Sequence, residues 1–140
     1  MKRYFNLGGF SFSASARFVG VVNNAWDGDS NKHNKFTVTV CSDLGRCSFS
    51  FFDSFANYAK GVVSLDRSGL LGAIDCLFSD ASCYDCCVDF DDFCKELGYT
   101  SISEYKEARK AFNGCKKASA SVCRVFGSYS DAVRDALYDL

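Results

Sequence analysis

Three of the nine cysteines in the chain fall within five residues, in the stretch Cys83-Tyr84-Asp85-Cys86-Cys87. Two thiolates in a Cys-x-x-Cys spacing can point at one tetrahedral ion, so Cys83 and Cys86 have the spacing of half a zinc site. The sequence has no second pair of this kind, although strong zinc signatures have one. The other ligands would have to come from Cys76, Cys87, Cys41 or the single histidine, His33.

We predict a structural zinc site with the ligands Cys76, Cys83, Cys86 and Cys87. Four thiolates close the coordination shell, so the metal would stabilise the connection between two helices and would not bind substrate or water. Two alternatives stay open. The stretch is a surface loop without metal, or Cys83 and Cys86 form a redox pair, although the preceding strand and following helix that usually lower a thiol pKa are missing.

The remaining cysteines mostly fall where apolar side chains are expected, and free cysteine behaves there as a small hydrophobe. Those predicted to pack in the core are Cys47, Cys94, Cys115 and Cys123. An odd number of cysteines, together with an N-terminus that lacks the apolar stretch of a signal peptide, favours reduced thiols and a cytoplasmic protein over a disulfide framework.

Composition predicts one globular domain over residues 1–140, with residues 1–54 mainly in strands and 66–140 mainly in helices. Hydrophobic residues make up 48% of the chain and charged residues 24%, which is enough apolar surface for a core. The formal net charge of −1 gives no overall attraction to nucleic acid. No apolar run approaches the roughly 18 residues of a membrane span, and we expect a monomer without a membrane partner.

Period-two alternation predicts a β-hairpin over residues 35–52, with Ser42-Asp43-Leu44-Gly45 as its turn. A four-residue loop would pair Val40 with Cys47 and gather the large apolar side chains on one face. The same register pairs Val38 with Phe49 and Phe36 with Phe51. We predict a further short strand over residues 18–22. Residues 23–34, with Trp26 and His33, have the composition of a polar loop.

Helical periodicity predicts about four helices in the second half of the chain. The first begins at Asp66 or Ser68 and ends before Ser79, and the second covers residues 89–97. Ser101 and Glu104 fit a capping box for a long helix that runs to about residue 126, and a last helix covers residues 131–140. The predicted fold class is therefore α+β, a small N-terminal antiparallel sheet packed with these helices.

Catalytic motifs are missing from the sequence, which has no phosphate-binding loop, dinucleotide fingerprint, metalloprotease motif or serine elbow. A nucleophilic cysteine needs a base, and the one histidine lies in the predicted polar loop. A binding protein is therefore favoured over an enzyme. A thiol enzyme stays open as an alternative, and it would require a cysteine of low pKa.

Charged residues are segregated along the second half of the chain. Residues 68–93 contain no lysine or arginine but six acids: Asp75, Asp80, Asp85, Asp89, Asp91 and Asp92. The long helix places its cations within about 120° of one another on the helical wheel: Lys106, Arg109, Lys110, Lys116, Lys117 and Arg124. The acids are either a solvated or internally paired surface, or a mimic of nucleic-acid phosphates.

Two segments of the second half are residues 70–81, LLGAIDCLFSDA, and residues 89–99, DFDDFCKELGY, with Cys115 and residues 124–127, RVFG, downstream. Together they resemble small accessory proteins encoded by bacteriophages and other mobile elements. The resemblance extends to residues 48–54, SFSFFDS, and so covers roughly residues 35 to 127. The cysteines at positions 83–87 depart from the pattern of this group. Some of these proteins are anti-CRISPR proteins, and the resemblance implies an inhibitor of the type II RNA-guided nuclease in a bacterial host.

Such nucleases hold nucleic acid in basic channels, so an acidic inhibitor can block target DNA loading by occupying them. The acids expected to bind the nuclease are Asp80, Asp85, Asp89, Asp91 and Asp92. The alternative is a nucleic-acid-binding regulator of the mobile element that uses the basic face of the helix over residues 103–126. The sequence supports this second function less well, because the basic face lacks interleaved aromatic residues that could stack on bases.

Overall fold

The computed structural model describes residues 2–23, 32–54, 66–85 and 89–140. Four strands come first: β1 (Lys2–Leu7), β2 (Phe10–Asn23), β3 (Lys32–Cys41) and β4 (Arg46–Ser54). The helices follow: α1 (Arg67–Asp85), α2 (Phe90–Leu97), α3 (Ile102–Val125), a 3-10 turn (Gly127–Tyr129) and α4 (Ser130–Tyr138). The predicted α+β layout, with an N-terminal antiparallel sheet followed by helices, is confirmed.

The four strands form one antiparallel sheet in the order β1-β2-β3-β4. The predicted hairpin is confirmed with its register, since Val40 lies opposite Cys47 and Phe36 opposite Phe51. Cys47 is buried on the inner face, as predicted, while Cys41 alternates to the outer face. Alternation therefore places most apolar strand side chains against the helices, while Tyr4, Val19 and Phe52 are exposed.

The hairpin of β1 and β2 was not predicted. Its turn uses two glycines in the left-handed region, Gly8 with φ 61° and Gly9 with φ 77°. A Cβ atom on Gly8 would lie 2.6 Å from the backbone oxygen of Ala132, so this turn needs glycine both for its conformation and for its close approach to α4.

The polar loop predicted over residues 23–34 is wrong at both ends, because β2 continues to Asn23 and β3 begins at Lys32. His33 is half-buried within β3, and Asn34 is fully buried. Trp26 lies outside the described residues.

The main core lies between the sheet and helices α1, α3 and α4. Phe126 is fully buried at its centre, with its ring centroid 4.9 Å from that of Phe78 and 5.6 Å from that of Phe12. Other members include Leu70, Ile74, Val38, Val40, Val125 and Val133. Strand side chains and helix side chains far apart in sequence thus share one apolar layer.

A second group of buried side chains, here called the distal cluster, consists of Phe93, Cys94, Ala108 and Phe112. It lies where α2 packs on the first half of α3. The ring of Phe112 is 5.4 Å from that of Phe93, and its other ring neighbours are Phe90 at 5.8 Å and Tyr84 at 5.6 Å. The distal cluster is therefore small and mostly aromatic.

The caps of α2 and α3 confirm the sequence prediction. The Asp89 carboxylate accepts the backbone N–H of Asp92 at 2.9 Å, and Gly98 ends α2 in the left-handed conformation. Ser101 accepts the N–H of Glu104, whose carboxylate in turn accepts the N–H of Ser101 at 2.8 Å. Both reciprocal bonds of a capping box are present.

Two helix predictions are wrong. Helix α1 does not end before Ser79 but continues to Asp85, because Ala81 extends its buried stripe beyond Leu77 and Phe78. Cys83 consequently lies on a helix and not in a loop. The predicted core position of Cys123 is also wrong, since its thiol is exposed on α3.

The C-terminal end of α3 is attached to the turn between β3 and β4. The Ser42 hydroxyl donates to the Val125 carbonyl at 2.5 Å. Close by, Gly127 adopts φ 52°, and a Cβ atom there would lie 2.9 Å from Leu44 Cδ1. These contacts fix the helix layer relative to the sheet. None of the described helices is long and apolar enough to cross a membrane.

Candidate functional site

Cys76 and Cys83 lie on the same continuous helix, α1. A separation of seven residues places them on one side of the helix but about 10.5 Å apart along its axis. Two thiolates bound to one zinc ion at about 2.3 Å each are at most about 4.6 Å apart. The helix therefore does not bring Cys76 into one coordination shell with Cys83, and Cys76 does not fit the predicted ligand set.

Cys83 is exposed in the last turn of α1, while Cys86 and Cys87 lie outside the described residues. Within the described ranges, no group of three His, Cys, Asp or Glu side chains is placed to hold a metal ion. The exposed thiol of Cys83 and the Cys-x-x-Cys spacing fit zinc chemistry. A zinc site that includes Cys83, Cys86 and Cys87 among its ligands stays a prediction.

Two thiols have a raised pKa. Partial burial raises the pKa of the Cys76 thiol, and the nearby Asp80 and Asp75 carboxylates raise it further. Burial also raises the pKa of Cys47, although the positive charge of Arg124 opposes the shift. Both groups are protonated at neutral pH and are therefore poor nucleophiles.

The predicted acidic surface spans the end of α1 and the start of α2. Asp80, Asp89, Asp91 and Asp92 are all exposed, and Asp75 lies nearby on α1 and is exposed too. Asp85 is the last residue of α1. The Asp89 carboxylate also caps α2 and lies with Asp91 and Asp92 at the positive end of that helix. Although Asp80 is exposed as a residue, neighbouring atoms partly desolvate its carboxyl group, and this desolvation raises its pKa.

The predicted basic face of α3 is exposed along its full length, at Lys106, Arg109, Lys110, Lys116, Lys117 and Arg124. The buried side of the helix carries Ala108, Phe112 and Val122, so at about 100° per residue the cations point away from the protein interior. Arg109 covers the ring of Phe90, with its guanidinium carbon 3.7 Å from the ring centroid.

A third charged surface, the outer face of the sheet, was missed by the sequence analysis. Its positions are occupied by serine and threonine hydroxyls with cations between them, and the exposed Tyr4 lies at one corner. Period-two alternation in residues 10–18 was the available signal. Phe10, Phe12 and Phe18 alternate there with serines and Arg17.

The geometry defines a two-layer α+β protein with an acidic surface on α1 and α2 and basic surfaces on α3 and the outer sheet. Comparisons with family models, with curated proteins and with solved structures found no match for this chain.

Proposed function

We propose that this chain is an anti-CRISPR protein, a stoichiometric inhibitor that binds the type II RNA-guided nuclease in the cytoplasm of a bacterial host and blocks target DNA loading. The observation that carries the proposal is the acidic surface. Asp80, Asp91 and Asp92 are exposed in a segment, residues 68–93, that contains no lysine or arginine. Such a surface complements a basic nucleic-acid channel.

The placement of these acids supports binding without catalysis. Asp91 and Asp92 lie in the first turn of α2, whose position is fixed by the Asp89 cap and by the distal cluster. A helix that presents carboxylates in fixed positions loses little side-chain and backbone freedom on binding. In this proposal Cys83, Cys86 and Cys87 supply three of the four ligands of a structural zinc, which stabilises the connection from α1 to α2 and thereby the acidic surface.

The test measures inhibition of guided DNA cleavage by a panel of type II nucleases, with binding of inhibitor to nuclease followed in parallel. The triple variant Asp80→Lys, Asp91→Lys, Asp92→Lys keeps the Asp89 cap and should lose inhibition. The matched control reverses three exposed acids near the C-terminus, namely Asp131 and Asp135 on α4 and Asp139 directly after it, and should inhibit like the unmodified chain. Unchanged inhibition by the first variant would refute phosphate mimicry, and a chain that inhibits no nuclease of the panel would refute the proposal.

A second candidate function is a nucleic-acid-binding regulator that uses α3. The observation in its favour is that all six cations of the basic face are exposed on the side opposite the core. Duplex DNA should then bind with strong salt dependence. Replacing Lys106, Lys110 and Lys117 by glutamine should abolish the gel shift, whereas a shift that persists in this variant would exclude the α3 face.

A further inference from the structure

The outer face of the sheet has a regular arrangement of charge. Four successive cross-strand rows run along β3, at Cys41, Thr39, Thr37 and Lys35. Alternate residues of a strand are about 6.8 Å apart, so the four rows span about 20 Å. Each row contains one cation, and in order these are Arg46, Lys2, Arg17 and Lys35.

The outward strand positions of the described sheet carry no carboxylate. The positions between the cations are mostly hydroxyls, including Ser11, Ser13, Ser15, Thr37, Thr39, Ser48 and Ser50. Hydroxyl groups donate and accept hydrogen bonds without adding charge. The described part of this face therefore attracts anions along its whole length, although the chain as a whole has a net charge of −1.

Two aromatic side chains lie at opposite corners of the same face. Tyr4 stands in the first row, on edge strand β1, and is 81% exposed. Phe52 stands in the fourth row, on the other edge strand β4, and is 42% exposed. An exposed ring on a flat, cationic face offers a stacking surface to an unpaired base.

A cleft of about 530 Å³ lies beside Tyr4. Its polar lining consists of Asn6, Ser11, Ser13, Cys41, Ser42 and Asp43. This volume falls in the range that accommodates small molecules, and amide and hydroxyl groups can bond to the edge of a base. Asp43, in the turn after the first row, would repel a phosphate but can accept a hydrogen bond from a base amino group.

We propose that the outer face of the sheet binds single-stranded nucleic acid. The row cations contact phosphates, Tyr4 and Phe52 stack on bases, and the cleft beside Tyr4 receives one base. Single strands fit better than duplex, because stacking on Tyr4 and Phe52 requires unpaired bases. This surface is separate from the acidic surface of the proposed function, and its binding does not depend on a nuclease.

The experiment uses the full chain and fluorescently labelled oligothymidylate and oligouridylate of about 12 nucleotides, within the site sizes known for single binding domains. Fluorescence anisotropy is measured between about 50 and 200 mM salt. Four phosphate contacts predict a slope of about −2.8 for log affinity against log salt. Comparison of the two oligonucleotides shows whether DNA or RNA is preferred.

Two variants and two matched controls locate the site. Tyr4→Ala should weaken binding about 5- to 150-fold, which corresponds to the loss of one stacked base. Arg17→Gln with Lys35→Gln should reduce the salt slope by about 1.4. The controls are Tyr138→Ala, which removes a 74% exposed tyrosine from α4, and Lys95→Gln, which removes an exposed cation from α2. Both controls should bind like the unmodified chain.

Three results would overturn the proposal. One is the absence of binding to either oligonucleotide by the unmodified chain. Another is binding that is lost when Lys106, Lys110 and Lys117 on α3 are replaced by glutamine but kept in the sheet variants. The third is binding of a polyglutamate peptide as tight as that of the oligonucleotides, with no effect of Tyr4→Ala, which would identify an acidic protein as the partner.

Discussion

The main core and the distal cluster differ in how far apart in sequence their members lie. The main core joins strand residues such as Phe12 to helix residues such as Phe126, whereas the distal cluster joins α2 to the first half of α3. A small group of buried side chains can open locally while the larger core stays folded. Asp91, Asp92 and Cys83 thus lie on helices that adjoin the less extensively packed region.

The largest expected effect is that of breaking the main core. Phe126→Ala removes a fully buried ring that contacts Phe10, Phe12 and Phe78. The free energy of unfolding should fall by about 3 to 5 kcal/mol, because a cavity remains where the ring was. Urea denaturation followed by circular dichroism measures the change. A loss as small as that of Tyr138→Ala, an exposed position, would mean that the ring is not part of the core.

Phe112→Ala is the matching change in the distal cluster. The free energy of local unfolding should fall by about 3 kcal/mol. This is near the lower end of the range for replacing a buried phenylalanine by alanine, because the side chain is 8% exposed. Hydrogen exchange should accelerate in α2 and the first half of α3 but not in β2 and β3. Equal acceleration in both regions would show that the two clusters unfold as one unit.

Removal of zinc tests whether a bound metal stabilises the part of the protein around the distal cluster. The reduced protein should contain about one zinc ion per chain by elemental analysis, and Cys83→Ser with Cys86→Ser should contain none. Loss of the metal should lower the free energy of unfolding by about 2.7 kcal/mol, compared with protein in a free zinc concentration of a hundred times the dissociation constant. Cys123→Ser, at an exposed cysteine on α3, is the control. If neither the unmodified protein nor the double variant contained zinc, residues 83–87 would be an ordinary reduced segment that binds no metal.

A smaller effect is expected from the cap that begins α3. Ser101→Ala removes the oxygen that accepts the N–H of Glu104 and should lower stability by about 1 kcal/mol. Thermal unfolding of this variant beside Ser128→Ala, at an exposed serine, measures the difference. Equal melting temperatures would show that the cap adds no stability in this chain.

The same cap predicts a dependence on pH. Backbone N–H groups of Thr100 and Ser101 donate to the Glu104 carboxylate and lower its pKa below the ordinary value of 4.5. Because the folded state holds the carboxylate ionised, the stabilisation is present above that ordinary value and is lost as pH falls through the lowered pKa. Glu104→Gln should flatten this part of the melting-temperature profile, and an unchanged profile would assign the acid sensitivity to other carboxylates.

Sequence patterns predicted the elements whose local signals agree with their tertiary contacts. The hairpin register followed from strict alternation around one turn, and the bounds of α2 followed from Asp89 and Gly98. The hairpin of β1 and β2 was missed because small residues, Ala14 and Ala16, occupy apolar positions in β2. Such side chains give a weak alternation signal although they pack on the core.

Helix α3 shows why one apolar stripe along a helix does not identify all of its buried residues. Helical spacing in the sequence of α3 predicts one apolar stripe, which consists of Tyr105, Ala108, Phe112, Cys115, Ser119, Val122 and Phe126. Tyr105 is exposed, whereas Ala118 and Val125 are buried. The first half of α3 packs on α2 and its second half on the main core, so the buried side turns along the helix. Single-helix periodicity contains no information about a change of partner.

The candidate sites were less predictable than the fold. The acids and cations were identified from sequence, and their exposure is as expected. The outer sheet face could not be found without β1 and the register of β2. Only strand pairing places Tyr4 in one cross-strand row with Arg46, and Lys2 in the row next to that of Arg17.

The contact of Gly8 with Ala132 has a consequence for the order of events during translation. The two residues are 124 positions apart, so at about 5 to 20 residues per second the ribosome needs about 6 to 25 seconds to add the second after the first. From the completion of β4 until α4 is made, the nascent sheet lacks α4 to cover part of its apolar face. Completion of the fold therefore falls late in synthesis, and ribosome-bound chains that lack α4 should be the ones that chaperones hold.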